Sequence, residues 1–273
     1  MPESKPKLML DTNVADKLSF YRDEFDIDRI KNDIRRCYRI VVSPQSVIEL
    51  LNGVIGGKTD AHLQADQRRF RTLLGGNPAP ETLRFPIDFS LRNVLGIESR
   101  VPNFNPADFR LWVKVVLAAT SRYELDNGHV RIPNRGGQTF GLEPSVIADQ
   151  QNEGKTNHRE WLQLAMSRTC SFPSREEWAR IIGTSLEVDL TREQSTLLGE
   201  RWSAAYEYQS NTFATAAANS QYNVTKHDGD WIDNQHLFYL CDPRVFILTD
   251  EESIRSKCSN SDQCKRILLL KEI

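Results

Sequence analysis

The chain has 273 residues, a formal net charge of −2, 39% hydrophobic residues and 26% charged residues. This composition is typical of a globular protein with a substantial core, and it argues against nucleic-acid binding through bulk positive charge. No segment approaches the ~20 apolar residues of a membrane span, and no signal-peptide core follows the start, so we expect a cytoplasmic protein with no membrane partner. Five scattered cysteines without a CxxC pair predict reduced thiols rather than a zinc site or disulfides.

The first predicted element is a strand that ends at a carboxylate. Residues 7–10 form a short apolar run, and Asp11 follows it directly in LMLDTN. The spacing of apolar residues over 23–36 predicts an amphipathic helix, and 40–42 is typical of a second strand. Together these elements predict a βαβ unit, with Asp11 at the carboxyl end of its first strand.

A third acidic position follows the second strand. Ser43 and Pro44 have the residue types of an N-cap and a first helical position, so SPQSVIELL is predicted to begin a helix. Glu49 would then project from the second turn of that helix.

The middle of the chain is predicted to be mainly helical. Residues 77–105 are rich in proline and predict a loop, and 126–141 are irregular with four glycines. Ser174 and Glu177 form a capping-box pattern. The predicted helices cover 59–74, 106–125, 144–151, 157–167, 174–182 and 191–219.

Acidic residues recur near the end of the chain in GDWIDNQHLFYLCDPRVFILTDE. Asp230 and Asp233 are three residues apart, so on a helix they share a face. Asp250 follows the apolar run 245–248, which suits a central strand. Ligands bind at the carboxyl ends of strands in open α/β sheets, and parallel strands would bring Asp11 and Asp250 to one edge. Several carboxylates at one place imply a cation.

This ordered set of acids resembles the PIN-domain nucleases. The matching positions are Asp11 in LDTN, Glu49 in SVIELL, Asp230 and Asp233 in GDWIDNQH, and Asp250 in FILTDE, with a step of 17 residues from 233 to 250 (250 − 233). The resemblance implies a three-layer αβα fold with a short parallel sheet, formed by residues 1–57 and 223–273. Residues 58–222 would be a large helical insertion packed on that core.

The resemblance also implies an activity. Enzymes of this family are metal-dependent ribonucleases, best known from bacterial toxin–antitoxin systems, so we expect a toxin or defence ribonuclease that cleaves RNA. A restraining or activating protein partner is implied in the same way, and homo-oligomers are compatible with it. Residues expected beside the ligands are Asn13, Thr249 and His236.

The residue types agree with that chemistry. Two-metal phosphodiester hydrolysis uses one ion to generate hydroxide and the other to stabilise the departing oxygen, so it needs no protein nucleophile. Mg²⁺ and Mn²⁺ prefer oxygen ligands. The predicted ligands of one or two such ions, and the predicted catalytic residues, are Asp11, Glu49, Asp230, Asp233 and Asp250.

Each acid also has a structural interpretation. Asp11 could cap the turn that follows it, and Asp230 and Asp250 could cap the helices that follow them. Asp233 could complement a helix macrodipole, and Glu49 could be a surface residue. His236 in HLFYL is typical of a packed histidine.

Three other functions are alternatives to an RNA-cleaving nuclease. One is a catalytically inactive PIN-like module that binds RNA or protein, and another is a nuclease directed at DNA. The third is a haloacid-dehalogenase-type phosphatase, which requires a second Asp two residues after the first. Asn13 stands at that position.

Overall fold

The computed structural model describes residues 5–21, 26–77, 81–98, 106–133, 135–219, 221–227 and 229–273. The fold is α/β, as the sequence predicted. The helices in chain order are α1 Thr12–Phe20, α2 Ile27–Cys37, α3 Pro44–Gly56, α4 Asp60–Leu73, α5 Pro86–Leu95, α6 Pro106–Ala118, α7 Arg122–Asp126, α8 Pro144–Ser167, α9 Arg175–Ser185, α10 Arg192–Arg201, α11 Ser203–Ala218, α12 Asp230–Leu237 and α13 Glu252–Lys257. The strands are β1 Lys7–Leu10, β2 Arg39–Val42, β3 Glu81–Thr82, β4 Val130–Arg131, β5 Thr139–Phe140, β6 Val245–Thr249 and β7 Ile267–Leu269.

Five of these strands form the main sheet, in the order β3-β2-β1-β6-β7, and β4 and β5 form a separate antiparallel pair. Strand β1 pairs with β2 in parallel, with Leu8 opposite Ile40, and β2 pairs in parallel with β3. Strand β6 is parallel to β7, with Leu248 opposite Leu268. Parallel pairing requires crossover connections, and helices supply them between these strands.

The chain divides into two compact units. The first comprises the described residues of Met1–Leu83 and Phe104–Gln151 with Ile273, and the second those of Arg84–Asn103 and Asn152–Glu272. The predicted boundaries at residues 57 and 223 differ from the limits of these units, and the two-segment core stays a prediction. Within the described ranges, no helix combines the length and apolar content that a bilayer crossing requires.

The core of the first unit surrounds β1. Leu8 and Met9 are fully buried, and Val14 of α1 and Leu51 of α3 are buried with them. A glutamine is also buried in this unit. The Gln67 amide donates to the carbonyls of two residues on or next to α6, at 2.8 Å each. Strand β1 is therefore held in an apolar layer up to the residue before Asp11.

The core of the second unit is aromatic. Trp178 stacks on Phe238 with ring centroids 5.6 Å apart, and Trp202 meets the same phenyl ring edge-on at 5.0 Å. The Trp202 indole N–H donates to the Ser90 hydroxyl, which satisfies the one polar atom of a fully buried side chain. Edge-to-face and offset-stacked rings contribute energy beyond the area that they bury.

Two helices were not predicted. Helix α1 begins immediately after Asp11, where the sequence favoured only a turn, because Val14, Ala15 and Leu18 are buried on one face. The segment 77–105 was predicted to be loop, but helix α5 lies inside it and begins at Pro86. Positions 78–80 and 99–105 of this segment lie outside the described residues. Proline is favoured at the first helical position, so it marked a helix start here and not a break.

Other helix limits also differ from the prediction. The predicted helix 106–125 ends at Ala118 and restarts as α7, and 191–219 divides into α10 and α11 at the buried Trp202. The predicted helices 144–151 and 157–167 are one continuous helix, α8. The helix predicted over 23–36 begins at Ile27 among the described residues, and positions 22–25 lie outside them.

Candidate functional site

Asp11 and Glu49 converge on one residue of the first unit, Thr12. Asp11 is the N-cap of α1, and its Oδ1 accepts a hydrogen bond from the Thr12 backbone N–H at 2.7 Å. The Thr12 hydroxyl donates to Oε2 of Glu49, also at 2.7 Å. Asp11 directly follows an apolar strand, and although it is a carboxylate it is only 3% exposed. The structure thus brings together two predicted ligands that are far apart in the sequence, and Thr12 is the link between them.

Asp11 has a capping role, as its structural interpretation predicted, although the element that it caps is helix α1 and not a turn. Capping uses Oδ1, and a carboxylate has about four acceptor positions, so capping and ligation are compatible. Helix α3 begins as predicted, with Ser43 as N-cap and Pro44 in the first turn, and it presents Glu49 on its second turn. Asn13 is exposed on the first turn of α1.

The second unit carries Asp230 and Asp233 on the first turn of α12. The N-cap of this helix is Gly229, so the alternative that Asp230 is the capping residue is wrong. Asp230 is instead the first helical residue, where the helix macrodipole favours a negative charge. Its carboxylate is therefore available to partners outside the backbone of its own helix.

The two carboxylates of α12 have a lysine and a tyrosine as partners, and neither partner was predicted. Lys257 Nζ lies 2.8 Å from Oδ2 of Asp230, and the Tyr208 hydroxyl donates to Oδ2 of Asp233 at 3.1 Å. Lys257 also donates to the Tyr208 oxygen at 3.3 Å and lies 4.4 Å from the ring centroid. The two carboxylates thus share one polar network, which we call the lysine–tyrosine network (Tyr208, Asp230, Asp233 and Lys257).

Burial and charge shape the chemistry of this network. The Tyr208 side chain is fully buried. Burial, followed by the charges of Asp233 and Asp230, holds the pKa of Tyr208 well above its ordinary value. The phenol therefore stays protonated at neutral pH and acts as a hydrogen-bond donor to Asp233. Burial and the Asp230 charge also raise the pKa of Tyr222 to about 12.

A histidine stands next to the same carboxylate. His227 Nδ1 lies 3.6 Å from Oδ2 of Asp230. Its imidazole stacks on the Tyr222 ring, with centroids 4.5 Å apart and planes 18° apart. No role for His227 was predicted, because it precedes the helix in an irregular segment. The adjacent Asp228 lies outside the described residues.

Asp250 follows strand β6, as predicted, and is half-buried. Thr249 is fully buried, and its hydroxyl accepts a hydrogen bond from the Glu251 backbone N–H at 3.1 Å. The N-cap position of α13 belongs to Glu251, so the alternative that Asp250 caps this helix is wrong. Thr249 therefore fixes the turn that presents Asp250 at the end of the strand.

His236 is a buried residue of α12. It is 3% exposed, and burial lowers its pKa to about 4, so the imidazole is neutral at pH 7. The packed interpretation agrees with this burial. A role in orienting a ligand stays a prediction.

Trp231, between the two carboxylates of α12, lies against Gly154 of α8. A Cβ at position 154 would overlap the indole ring. A glycine in a helix interior costs about 1 kcal/mol relative to alanine, so its presence in α8 has a packing reason. Gly154 therefore makes room for Trp231, one of the two residues between Asp230 and Asp233 in the sequence.

The predicted ligands are all carboxylates, and this donor set suits Mg²⁺ or Mn²⁺ better than a softer metal. Among the residues that the structure describes, no group of three or more His, Cys, Asp or Glu side chains is arranged to hold a metal ion. The Lys257 ammonium is a stand-in cation on Asp230. One carboxylate of α12 therefore already binds a positively charged group.

Comparison of the chain with protein-family models, with curated proteins and with solved structures finds no match.

Proposed function

We propose that the chain is a Mg²⁺- or Mn²⁺-dependent ribonuclease with a PIN-like core and a helical insertion. The observation that carries the proposal is the convergence of Asp11 and Glu49 on Thr12, whose backbone N–H donates to Asp11 and whose hydroxyl donates to Glu49. Asp11 ends a buried strand, and an oxygen-rich position of this kind is where an α/β sheet binds ligands. Asp250 has the equivalent position after β6 in the second unit.

Each carboxylate has a role in the proposal. Asp11, Glu49, Asp230, Asp233 and Asp250 would hold one or two divalent ions. Bound ions of this kind supply a hydroxide nucleophile and stabilise the departing oxygen of a phosphodiester. Thr12 orients Glu49, and Tyr208 orients Asp233, through the hydrogen bonds already described. RNA is proposed as the substrate because the ordered acids resemble those of PIN-domain ribonucleases.

The direct test is cleavage of labelled RNA and of DNA of the same sequence, with Mn²⁺, with Mg²⁺ and with EDTA. We expect RNA cleavage that requires the metal. The variants Asp11→Asn, Glu49→Gln and Asp233→Asn should each lose on the order of a hundredfold in rate, as expected when a metal ligand is removed. Asparagine is as good an N-cap as aspartate, so Asp11→Asn should preserve α1.

Asp262→Asn is the matched control, because this carboxylate is 95% exposed and pairs with Lys265 at the surface. It should cleave at the wild-type rate. RNA binding without cleavage would favour the inactive PIN-like module instead. Cleavage that persists in EDTA, or near-wild-type rates in Asp233→Asn, would refute the assignment.

A further inference from the structure

Lys257 occupies the position of a cation beside Asp230. We propose that it is a built-in counter-ion of the α12 carboxylates, which a divalent metal ion must displace in order to bind Asp230. The inference rests on the proposed function, because it assumes that these carboxylates bind metal. The proposed carboxylate ligands would favour metal binding, and Lys257 would oppose it.

The contacts show that the lysine is held in place. Its ammonium reaches Asp230 at 2.8 Å while the same group lies over the Tyr208 ring at 4.4 Å. The Lys257 and Asp230 side chains are 23% and 14% exposed. An ion pair that is this shielded from water is screened less by salt than an exposed pair. Cation–π attraction to Tyr208 adds to the Coulomb attraction.

The backbone of Lys257 is anchored separately from its side chain. The residue ends α13, and its carbonyl accepts a hydrogen bond from the Asn211 amide of α11 at 2.5 Å. The next residue, Cys258, is fully buried, and its thiol donates to the Ile254 carbonyl at 3.1 Å. The side chain can therefore leave Asp230 without movement of the helix.

The structure also provides a place for the displaced ammonium. Lys257 borders an open groove of about 710 Å³ between α11 and α13. The other described residues that line this groove carry amides, hydroxyls and methyl groups and include no acid or base: Asn211, Ala214, Thr215, Ala218, Asn219 and Ser256. A lysine that rotates into this groove would lose its contact with the Asp230 carboxylate, and water and polar side-chain oxygens would solvate its ammonium group.

Electrostatics determines the direction of the effect. A displaced ammonium that stays about 5 Å from the bound divalent ion repels it, and charges of +1 and +2 at that distance in a water-like dielectric weaken binding by about tenfold. Removal of the ammonium should therefore strengthen metal binding. A purely structural ion pair predicts a loss of stability and no change in metal affinity.

The test compares Lys257→Met with Lys257→Arg and with a control, Lys265→Met. Methionine preserves much of the aliphatic stem over Tyr208, and arginine preserves the charge. Lys265 also pairs with an aspartate, at 2.8 Å to Asp262, but both side chains are more than four-fifths exposed. Each protein is measured for its melting temperature in EDTA and for Mn²⁺ affinity by isothermal titration calorimetry.

We expect Lys257→Met to melt at a lower temperature without metal and to bind Mn²⁺ about tenfold more tightly than wild type. Lys257→Arg should resemble wild type in both measurements, and Lys265→Met should change neither. Lys257→Gln, measured in parallel, should show the same tighter binding, so a folding defect specific to methionine would not obscure the result.

Two failures can be distinguished. If wild type binds Mn²⁺ and neither Lys257→Met nor Lys257→Gln binds it more tightly, the counter-ion inference is wrong and the proposed function stands. If no protein in the set binds Mn²⁺, the proposed function fails and this inference fails with it.

Discussion

Thr12 is a small residue with two roles at the first carboxylate pair. Its backbone N–H binds Asp11 and its hydroxyl binds Glu49, both at 2.7 Å. No sequence motif marks the second role, because the Glu49 partner is 37 residues away and on a different helix. Thr12 is 7% exposed, so water is a poor substitute for its hydroxyl group.

We therefore expect Thr12→Val to impair the site while leaving the fold intact. The variant keeps the shape of the side chain and the backbone cap, but it leaves Glu49 without this donor. Stability should fall by about 1 kcal/mol and the cleavage rate by about tenfold or more. Urea unfolding and RNA cleavage at saturating Mn²⁺ measure both effects. Thr12→Ser retains the hydroxyl and should stay close to wild type, and equal activity of the two variants would contradict this role.

His236 should make stability depend on pH. Burial lowers its folded-state pKa to about 4, below the ordinary value of 6.5. Between these values the unfolded chain binds the proton and the folded chain does not, so the free energy of unfolding falls as pH falls. The contribution is fully present above pH 6.5 and is lost as the pH falls towards 4. Its full size is about 3 kcal/mol.

Denaturant unfolding of wild type and His236→Gln between about pH 4 and pH 7 measures this contribution. Glutamine does not titrate, so the stability of the variant should decline less steeply over that range. Parallel curves for the two proteins would show that His236 is not the group responsible.

Helix ends show which elements can be predicted from local residues. Ser174 forms the expected capping box with Glu177, and α3 and α4 begin after Ser43 and Thr59, because each signal lies within a few residues of the helix that it starts. Helix α1 was missed because its start has polar residues, and burial of its apolar face against distant elements determines its conformation. The break at Trp202 has the same kind of cause.

The glycine turn after α4 gives a test at the level of an element. Gly75 has φ +62°, and a Cβ there would overlap the Ile40 side chain of β2. Gly75→Ala should therefore destabilise the protein by about 1 kcal/mol or more, since both the left-handed backbone and the contact oppose a side chain. At Gly56, an added Cβ would meet no described heavy atom within 4 Å and φ is not positive, so Gly56→Ala should be neutral or slightly stabilising.

Thermal unfolding of the two variants at one pH compares them directly. A loss of stability that is equal in Gly75→Ala and Gly56→Ala would mean that the conformation at position 75 is not the cause.

Across the fold, the sequence predicted the positions of those candidate ligands that lie at the ends of strands. The strand-end positions of Asp11 and Asp250 were predictable because an acid at the end of an apolar run stands out in the sequence. Tyr208 and Lys257 were not predictable, because 49 residues separate them and each occurs in an ordinary helical pattern. Contacts of this kind are created by the packing of helices and leave no local signal.

The contact between Gly154 and Trp231 has a genetic consequence. One added methyl group at position 154 would press on the indole between Asp230 and Asp233, although it lies on a different helix. Such overpacking typically lowers the free energy of unfolding by about 1–3 kcal/mol. Enough folded protein remains in the cell at low temperature, but not at high temperature. Gly154→Ala should thus behave as a temperature-sensitive allele, with soluble protein on immunoblots near the wild-type level at low growth temperature and depleted at high temperature. Equal depletion in Gly56→Ala would rule out a cause specific to this contact.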